Sequence, residues 1–202
     1  MILRDLGRLG YAESHALQQQ VLAQRIAGEC PDTVLLVEHD PVFTLGRRRT
    51  SASNVLAAGD TPVLEVERGG DVTFHGPGQL VAYPIVSLEG DRRDLHDHLH
   101  RLEEAAILTC ADFGLSATRD PRNTGAWVGG RKICSVGIAC RRWVTWHGLA
   151  LNVDVDLAWF QRINPCGLDS GLLTSMAAET SEPIDPHRVK AALGEHLVAV
   201  LR

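Results

Sequence analysis

The sequence predicts an α+β (mixed α/β) domain, a central mixed sheet with flanking helices. Two observations carry that class. Apolar residues recur at steps of three and four in well-separated stretches, and β-type runs, alternating or continuous, fill the intervals. A third excludes the doubly wound nucleotide folds: the glycine-rich stretch has neither the G-x-G-x-x-G nor the P-loop spacing.

The elements follow in order. Residues 11–29 predict a helix with a broad apolar stripe of Leu17, Val21, Leu22 and Ile26. Residues 33–38 form a compact β-like run, followed by a loop and short strand over 39–47. Residues 63–67 alternate as a strand that ends at the Arg68-Gly69-Gly70 turn, and 79–86 form another, in which Pro84 suggests an edge or a bulge. The clearest helix covers 93–113: Leu95, Leu99, Leu102, Ala106, Cys110 and Phe113 share a face, and Gly114 supplies the stop. Residues 126–128 and 131–140 flank Gly129-Gly130, a pair suited to a tight primed hairpin turn. Arg141-Arg142 turns into a further strand over 143–153. Asp185-Pro186 opens a last helix, with proline at the first helical position and Val189, Leu193, Leu197 and Leu201 on one face.

Length and composition bound the rest. The 202 residues, 45% hydrophobic and 22% charged, fit one globular domain over residues 1–202 with a core that needs no staples. A net charge of −5 argues against general nucleic-acid binding. Arg47-Arg48-Arg49 and Arg141-Arg142 oppose that sign locally, either as solvated surface or as a meeting point for an acidic partner. The five cysteines are an odd number without Cys-x-x-Cys spacing, so neither disulfides nor structural zinc is expected. No signal-peptide run opens the chain and no apolar stretch could span a bilayer, so the expected setting is the cytoplasm.

Three segments carry chemistry. Cys166 lies in Pro165-Cys166-Gly167. A cysteine is as a rule a small buried hydrophobe, but these flanks favour an exposed turn that can present a thiol. Lys132 follows the Gly-Gly turn and starts an apolar strand. It reads either as a solvated strand end or as an ammonium that favours a nearby thiolate. Residues 68–79 hold four glycines and a proline together with Arg68, Asp71, Thr73, His75 and Gln79. A plain connector needs no such polar density, so a loop facing a ligand is the alternative. His75 can orient a substrate or donate to an oxyanion, or it can be a satisfied structural histidine. His147 begins a run, Gly148-Leu149-Ala150-Leu151, that can line an acyl channel or form a core strand. His96, His98 and His100 read as surface residues.

Together, residues 38–47, 68–79, 130–137, 142–153, Pro165-Cys166-Gly167 and Thr174-Ser175 resemble the lipoyl(octanoyl) transferase family. The resemblance implies a fold similar to the catalytic domain of biotin protein ligases and lipoate ligases. It implies Cys166 as nucleophile and Lys132 as the group that lowers its pKa. Acyl-substrate contacts would come from Arg68, Gly69, Gly70 and Asp71, from Val72, Thr73, Phe74 and His75, from Ser135, Val136 and Gly137, and from Gly148, Leu149 and Ala150. The donor would be octanoyl-acyl carrier protein. The acceptors would be lipoyl domains of 2-oxoacid dehydrogenase complexes and the glycine cleavage H protein. No cofactor, metal, nucleic acid or membrane is expected. Two rival readings are an ATP-dependent lipoate- or biotin-protein ligase on the same fold, and a non-catalytic module that only binds such partners.

Overall fold

The computed structural model describes residues 1–164 and 170–202; Cys166 and its neighbours, 165–169, lie outside the described residues. In chain order the regular elements are β1 (Ile2–Leu9), α1 (Tyr11–Ile26), β2 (Thr33–His39), β3 (Val42–Leu45), β4 (Val63–Glu65), β5 (Val72–His75), β6 (Gln79–Ser87), α2 (Leu95–Asp112), β7 (Ala117–Thr118), β8 (Gly125–Val128), β9 (Arg131–Arg141), β10 (Val144–Asn152), α3 (Met176–Glu179) and α4 (Pro186–Leu201). The main sheet has seven strands in the order β1-β2-β6-β10-β9-β8-β7, and a second sheet runs β4-β3-β5. β1 lies parallel to β2 and β3 parallel to β4, while the other pairs are antiparallel. The mixed α/β expectation therefore holds.

The helices form where periodicity and capping agree. Asp94 caps α2 by accepting from the His96 and Asp97 N–H groups, and Asp185 caps α4 by accepting from His187 N–H. α2 and α4 bury Leu102, Ala106, Cys110, Val189, Leu193 and Leu197 against one face of the main sheet. α1 covers the other face through Tyr11, Val21 and Leu22. The small sheet closes its own cluster around Phe43, Phe74 and Phe160. The hairpin turn is as expected: Gly129 and Gly130 have φ of 55° and 78°, the pair of positive values a primed turn requires.

Four expectations need correction. Residues 2–9, given no element above, form β1, an edge strand with Ile2 and Leu3 exposed. The stretch 68–79 is not one loop, because Val72–His75 pairs with β3 in the small sheet. His98 is buried on the inner face of α2, and only His96 and His100 are exposed.

The fourth correction concerns Pro84, which lies in the middle of the main sheet between β2 and β10, not at an edge. The sheet tolerates it because the facing strand yields. The β6–β10 ladder keeps one register but is interrupted between Ala82 and Val86, opposite Trp146–Gly148. There Pro84 has no N–H to give. His147 turns to φ 58°, and its N–H goes instead to Gln18 Oε1 of α1 at 3.2 Å. Gly148 follows because a Cβ there would stand 2.3 Å from Ala82 O and 2.6 Å from Pro84 Cδ.

Candidate active site

A cavity of about 470 Å³ opens between the β9–β10 pair and the segment from Arg68 to His75. Its size is in the range of small-molecule sites. One wall is backbone-rich, with Ser135, Val136 and Gly137 of β9 beside Gly148, Leu149 and Ala150 of β10. The other wall carries Arg68, Gly69, Gly70, Asp71, Val72, Thr73 and His75. Phe74, grouped with these in sequence, does not line it. Its ring is fully buried, stacked on Trp159 at 4.8 Å and edge-on to Phe160.

The glycines permit a close approach of the two walls. Gly69 N–H donates to Ile138 O at 2.9 Å, tying the loop to β9. A Cβ on Gly137 would come within 3.1 Å of Gly69 O, and one on Gly46 within 2.5 Å of Gly70 O. Arg68 organises this loop from inside. Its guanidinium donates to the carbonyls of Thr44, Gly69 and Asp71 and to Thr44 Oγ1. Asp71 accepts from Val72 N–H and Asn54 Nδ2. Both side chains are buried, so much of their hydrogen-bonding capacity holds the loop's shape.

His75 sits at the head of a buried polar chain. Its Nδ1 meets Gln79 Oε1 at 2.8 Å, Gln79 Nε2 donates to Asn152 Oδ1, and Asn152 Nδ2 donates to Thr174 O. Its ring stacks on Tyr11. Burial first, then the nearby His39 and Arg68, push its pKa well below the usual imidazole value, so the ring is neutral. A second chain runs beside it: Tyr83 Oη lies 2.8 Å from His39 Nε2, and His39 Nδ1 lies 2.8 Å from Leu9 O. A carbonyl only accepts, so Nδ1 carries the His39 proton and Tyr83 donates to Nε2. Desolvation lowers the His39 pKa and raises those of Tyr11, to about 12, and Tyr83.

Lys132, the second residue of β9, lines the cavity and is almost wholly buried. Its Nζ donates to Asn123 Oδ1 and lies 5.8 Å from the Trp127 ring centroid. Gly125 makes room: it has φ 145°, and a Cβ there would stand 2.7 Å from Lys132 Cε. The Lys132 backbone receives the chain that follows residues 165–169, since Leu173 bridges to it and Thr174 N–H donates to its carbonyl at 3.0 Å. Arg131 pairs with Glu179 at 2.9 Å, pinning the same segment one residue away. Before residue 165, Ile163 bridges Val55, and Asn164 N–H donates to Asn54 O.

Cys30, Cys110, Cys134 and Cys140 do not line the cavity. Burial pushes the Cys110 thiol up to about 12 and that of Cys134 higher still. Sequence reading missed Tyr11, Tyr83, Asn123 and Leu99, which also line the cavity. Asn123 had a local signal, the turn-forming run Asp120-Pro121-Arg122-Asn123. The tyrosines had none, because only the layering of α1 on β6 brings them together. No helix among the described residues is long and apolar enough to cross a membrane.

Residues 10–198 match the lipoyl protein ligase A/B catalytic domain family. An octanoyltransferase of Geobacter metallireducens is 50% identical over 184 residues, covering 91% of this chain and 85% of the relative. One from Syntrophotalea carbinolica is 44% identical over 202 residues, covering 100% and 95%. Among solved structures, a lipoate-protein ligase A bound with ATP superposes with a TM-score of 0.79 at 16% identity, covering 100% of this chain and 86% of that one. The biotin protein ligase of Aquifex aeolicus gives 0.56 at 11% identity, covering 100% and 69%.

Proposed function

Since the chain belongs to the lipoyl protein ligase A/B catalytic domain family, and within it to the octanoyltransferases, we propose that it moves an octanoyl group from octanoyl-acyl carrier protein through a Cys166 thioester to a lysine of a lipoyl domain. One observation carries the reading. A buried lysine amine stands at a glycine-walled cavity whose rim receives the segment that follows Cys166. Cys166 is seven positions before Leu173, which bridges to Lys132. The other cysteines are off the cavity lining, which leaves Cys166 as the candidate nucleophile.

The steps balance without ATP. The Cys166 thiolate attacks the donor carbonyl, the carbonyl–sulfur bond to the carrier breaks, and the carrier thiol leaves with a proton from the Lys132 ammonium. The acceptor amine then attacks the octanoyl-cysteine, a carbon–nitrogen bond forms, and the thiolate is released. Neutral Lys132 takes the proton that the amine loses. Asn123 holds the Lys132 amine in place through this exchange. The alkyl chain lies against Val136, Leu149 and Ala150, where each buried methylene contributes roughly 0.8 kcal/mol. Arg47, Arg48 and Arg49 are exposed, and backbone bonds tie Arg47 and Arg48 to Arg68 and Gly70 at the cavity. They suit the acidic carrier protein. The acceptors are the lipoyl domains of 2-oxoacid dehydrogenase complexes and the glycine cleavage H protein, in the cytoplasm.

The test is intact-protein mass spectrometry after mixing with octanoyl-acyl carrier protein, without ATP. An octanoyl adduct on wild type, absent from Cys166→Ala and discharged by a lipoyl domain, is the expected result. Acceptor modification that needs octanoate and ATP, with no adduct, would move the chain to ligase chemistry.

A further inference from the structure

Beside the cavity, which His147 also lines, lies a cluster to which the transfer steps assign no role. His15 of α1, Glu67 beyond β4 and His147 of β10 converge, with ligand atoms all within 4.8 Å of one another. Glu67 Oε2 is 2.9 Å from His15 Nε2 and 3.7 Å from His147 Nε2. The His147 side chain is 1% exposed; its Nδ1 has no hydrogen-bond partner, and its Nε2 has only the distant Glu67 carboxylate. Leaving a ring nitrogen unpaired in the interior, and the other weakly paired, is costly, and native proteins seldom do so without a reason. Two more orphaned polar atoms, Ser14 Oγ and Gln18 Nε2, belong to α1 residues on either side of His15, and Gln18 already holds the His147 N–H.

We propose that His15, Glu67 and His147 form a binding site for a divalent transition-metal ion, zinc before the others. Two imidazoles and one carboxylate are a donor set that zinc takes at about 2.0–2.2 Å. Ligands at those lengths stand roughly 3.3–3.6 Å apart around a tetrahedral ion. The His15–Glu67 pair at 2.9 Å has to open a little, the His147–Glu67 pair at 3.7 Å to close a little, and the three ligand atoms, all within 4.8 Å of one another, to draw in around the ion. The His147 ring is presented by its own left-handed backbone, φ 58°, and by stacking on Trp146 at 4.3 Å. Magnesium or calcium would want several oxygen ligands, and this set offers only the Glu67 carboxylate. With only three protein ligands, the ion keeps one position for water, and Glu67, half exposed, gives it a path from solvent. The three ligands come from α1, the small-sheet side and the main sheet, so the ion clamps the layers that frame the cavity.

The inference stands apart from the transfer chemistry, and so does its test. Purified protein carrying Cys30→Ser, Cys140→Ser and Cys166→Ser, which leaves only the buried Cys110 and Cys134 thiols, is dialysed against Zn²⁺ and titrated with Co²⁺. The expected result is about one equivalent of zinc, visible Co²⁺ bands of a low-coordinate nitrogen–oxygen site, and a higher Tm with metal. His15→Ala and Glu67→Gln alter partly exposed side chains and should keep the metal-free Tm. They should weaken binding by more than the roughly 10–100-fold typical of losing an outer-shell partner. Co²⁺ bands no different from the hydrated ion, or zinc uptake indifferent to both substitutions, would overturn the site.

Discussion

Gly148→Ala isolates the contact by which the sheet accommodates Pro84. The new methyl would start 2.3 Å from Ala82 O and 2.6 Å from Pro84 Cδ, both in the central strand β6. Reaching ordinary contact requires the strands to part by roughly 1 Å. Neither obstacle is the flexible end of a side chain, so the cost should reach the top of the usual overpacking range, about 3 kcal/mol. Against a typical total of 5–15 kcal/mol that is a large loss. With a urea m-value of roughly 2 kcal/mol/M, the unfolding midpoint should fall by about 1.5 M with m unchanged. Gly69→Ala is the matched control on the opposite wall. Its Cβ would meet only Ile138 O, at 3.7 Å, an ordinary contact. Its midpoint should move by no more than the roughly 0.5 kcal/mol typical of harmless substitutions. Equal midpoints for the two variants, or a Gly148→Ala midpoint at the wild-type value, would refute the account of Pro84.

Further outcomes follow from the same geometry. Asn123→Ala removes an acceptor of the Lys132 amine; losing a charged hydrogen bond of about 1.5–3 kcal/mol should slow single-turnover octanoyl-adduct formation roughly 10–100-fold, and a rate within twofold of wild type would remove Asn123 from the mechanism. Arg47→Glu with Arg49→Glu should raise KM for octanoyl-acyl carrier protein and flatten its salt dependence, while leaving kcat/KM for a small octanoyl thioester near wild type; equal losses on both donors would place these arginines outside the docking surface. Burial holds His98 at about 4, against 6.5 for the free side chain. Between those values the unfolded chain binds the extra proton, so stability falls as pH drops from about 6.5 to about 4, by at most roughly 3 kcal/mol from this residue. His98→Leu should reduce the difference in urea midpoint between pH 7 and pH 5, and an unchanged difference would count against that protonation.

What was legible in sequence was what is local. The helical stripes, the Gly129-Gly130 turn and the Asp185-Pro186 helix start all rest on interactions within a few residues, and all were found. β1 was not, because a parallel edge strand with exposed Ile2 and Leu3 and a bulge between Asp5 and Arg8 shows little alternation. Pro84 misled for a sound reason. A proline in a central strand is unfavourable unless the neighbouring strand gives up a bond at the same level, and that neighbour lies more than sixty positions away. Of the candidate site, the residue types were readable and their company was not. Phe74 and His75 are adjacent in sequence, yet one fills the small-sheet core and the other reaches the cavity. The His15–Glu67–His147 cluster has no sequence spacing at all, because its members come from three separate layers.

The Pro84 adjustment also explains why the cavity lies where it does. A regular β10 would send Trp146 and His147 to opposite faces. The positive φ at His147 instead lets the two rings stack, at 4.3 Å, on the face that α1 covers. The same irregularity obliges residue 148 to be glycine, and glycine leaves that wall bare backbone beside Gly137. On the facing side, Gly69 docks directly on Ile138. These two walls bring peptide groups to the cavity from both sides, and the only buried lysine amine among the described residues lines the same cavity. An irregularity that costs sheet hydrogen bonds is thus what gives the molecule a narrow, backbone-lined slot in the middle of its main sheet.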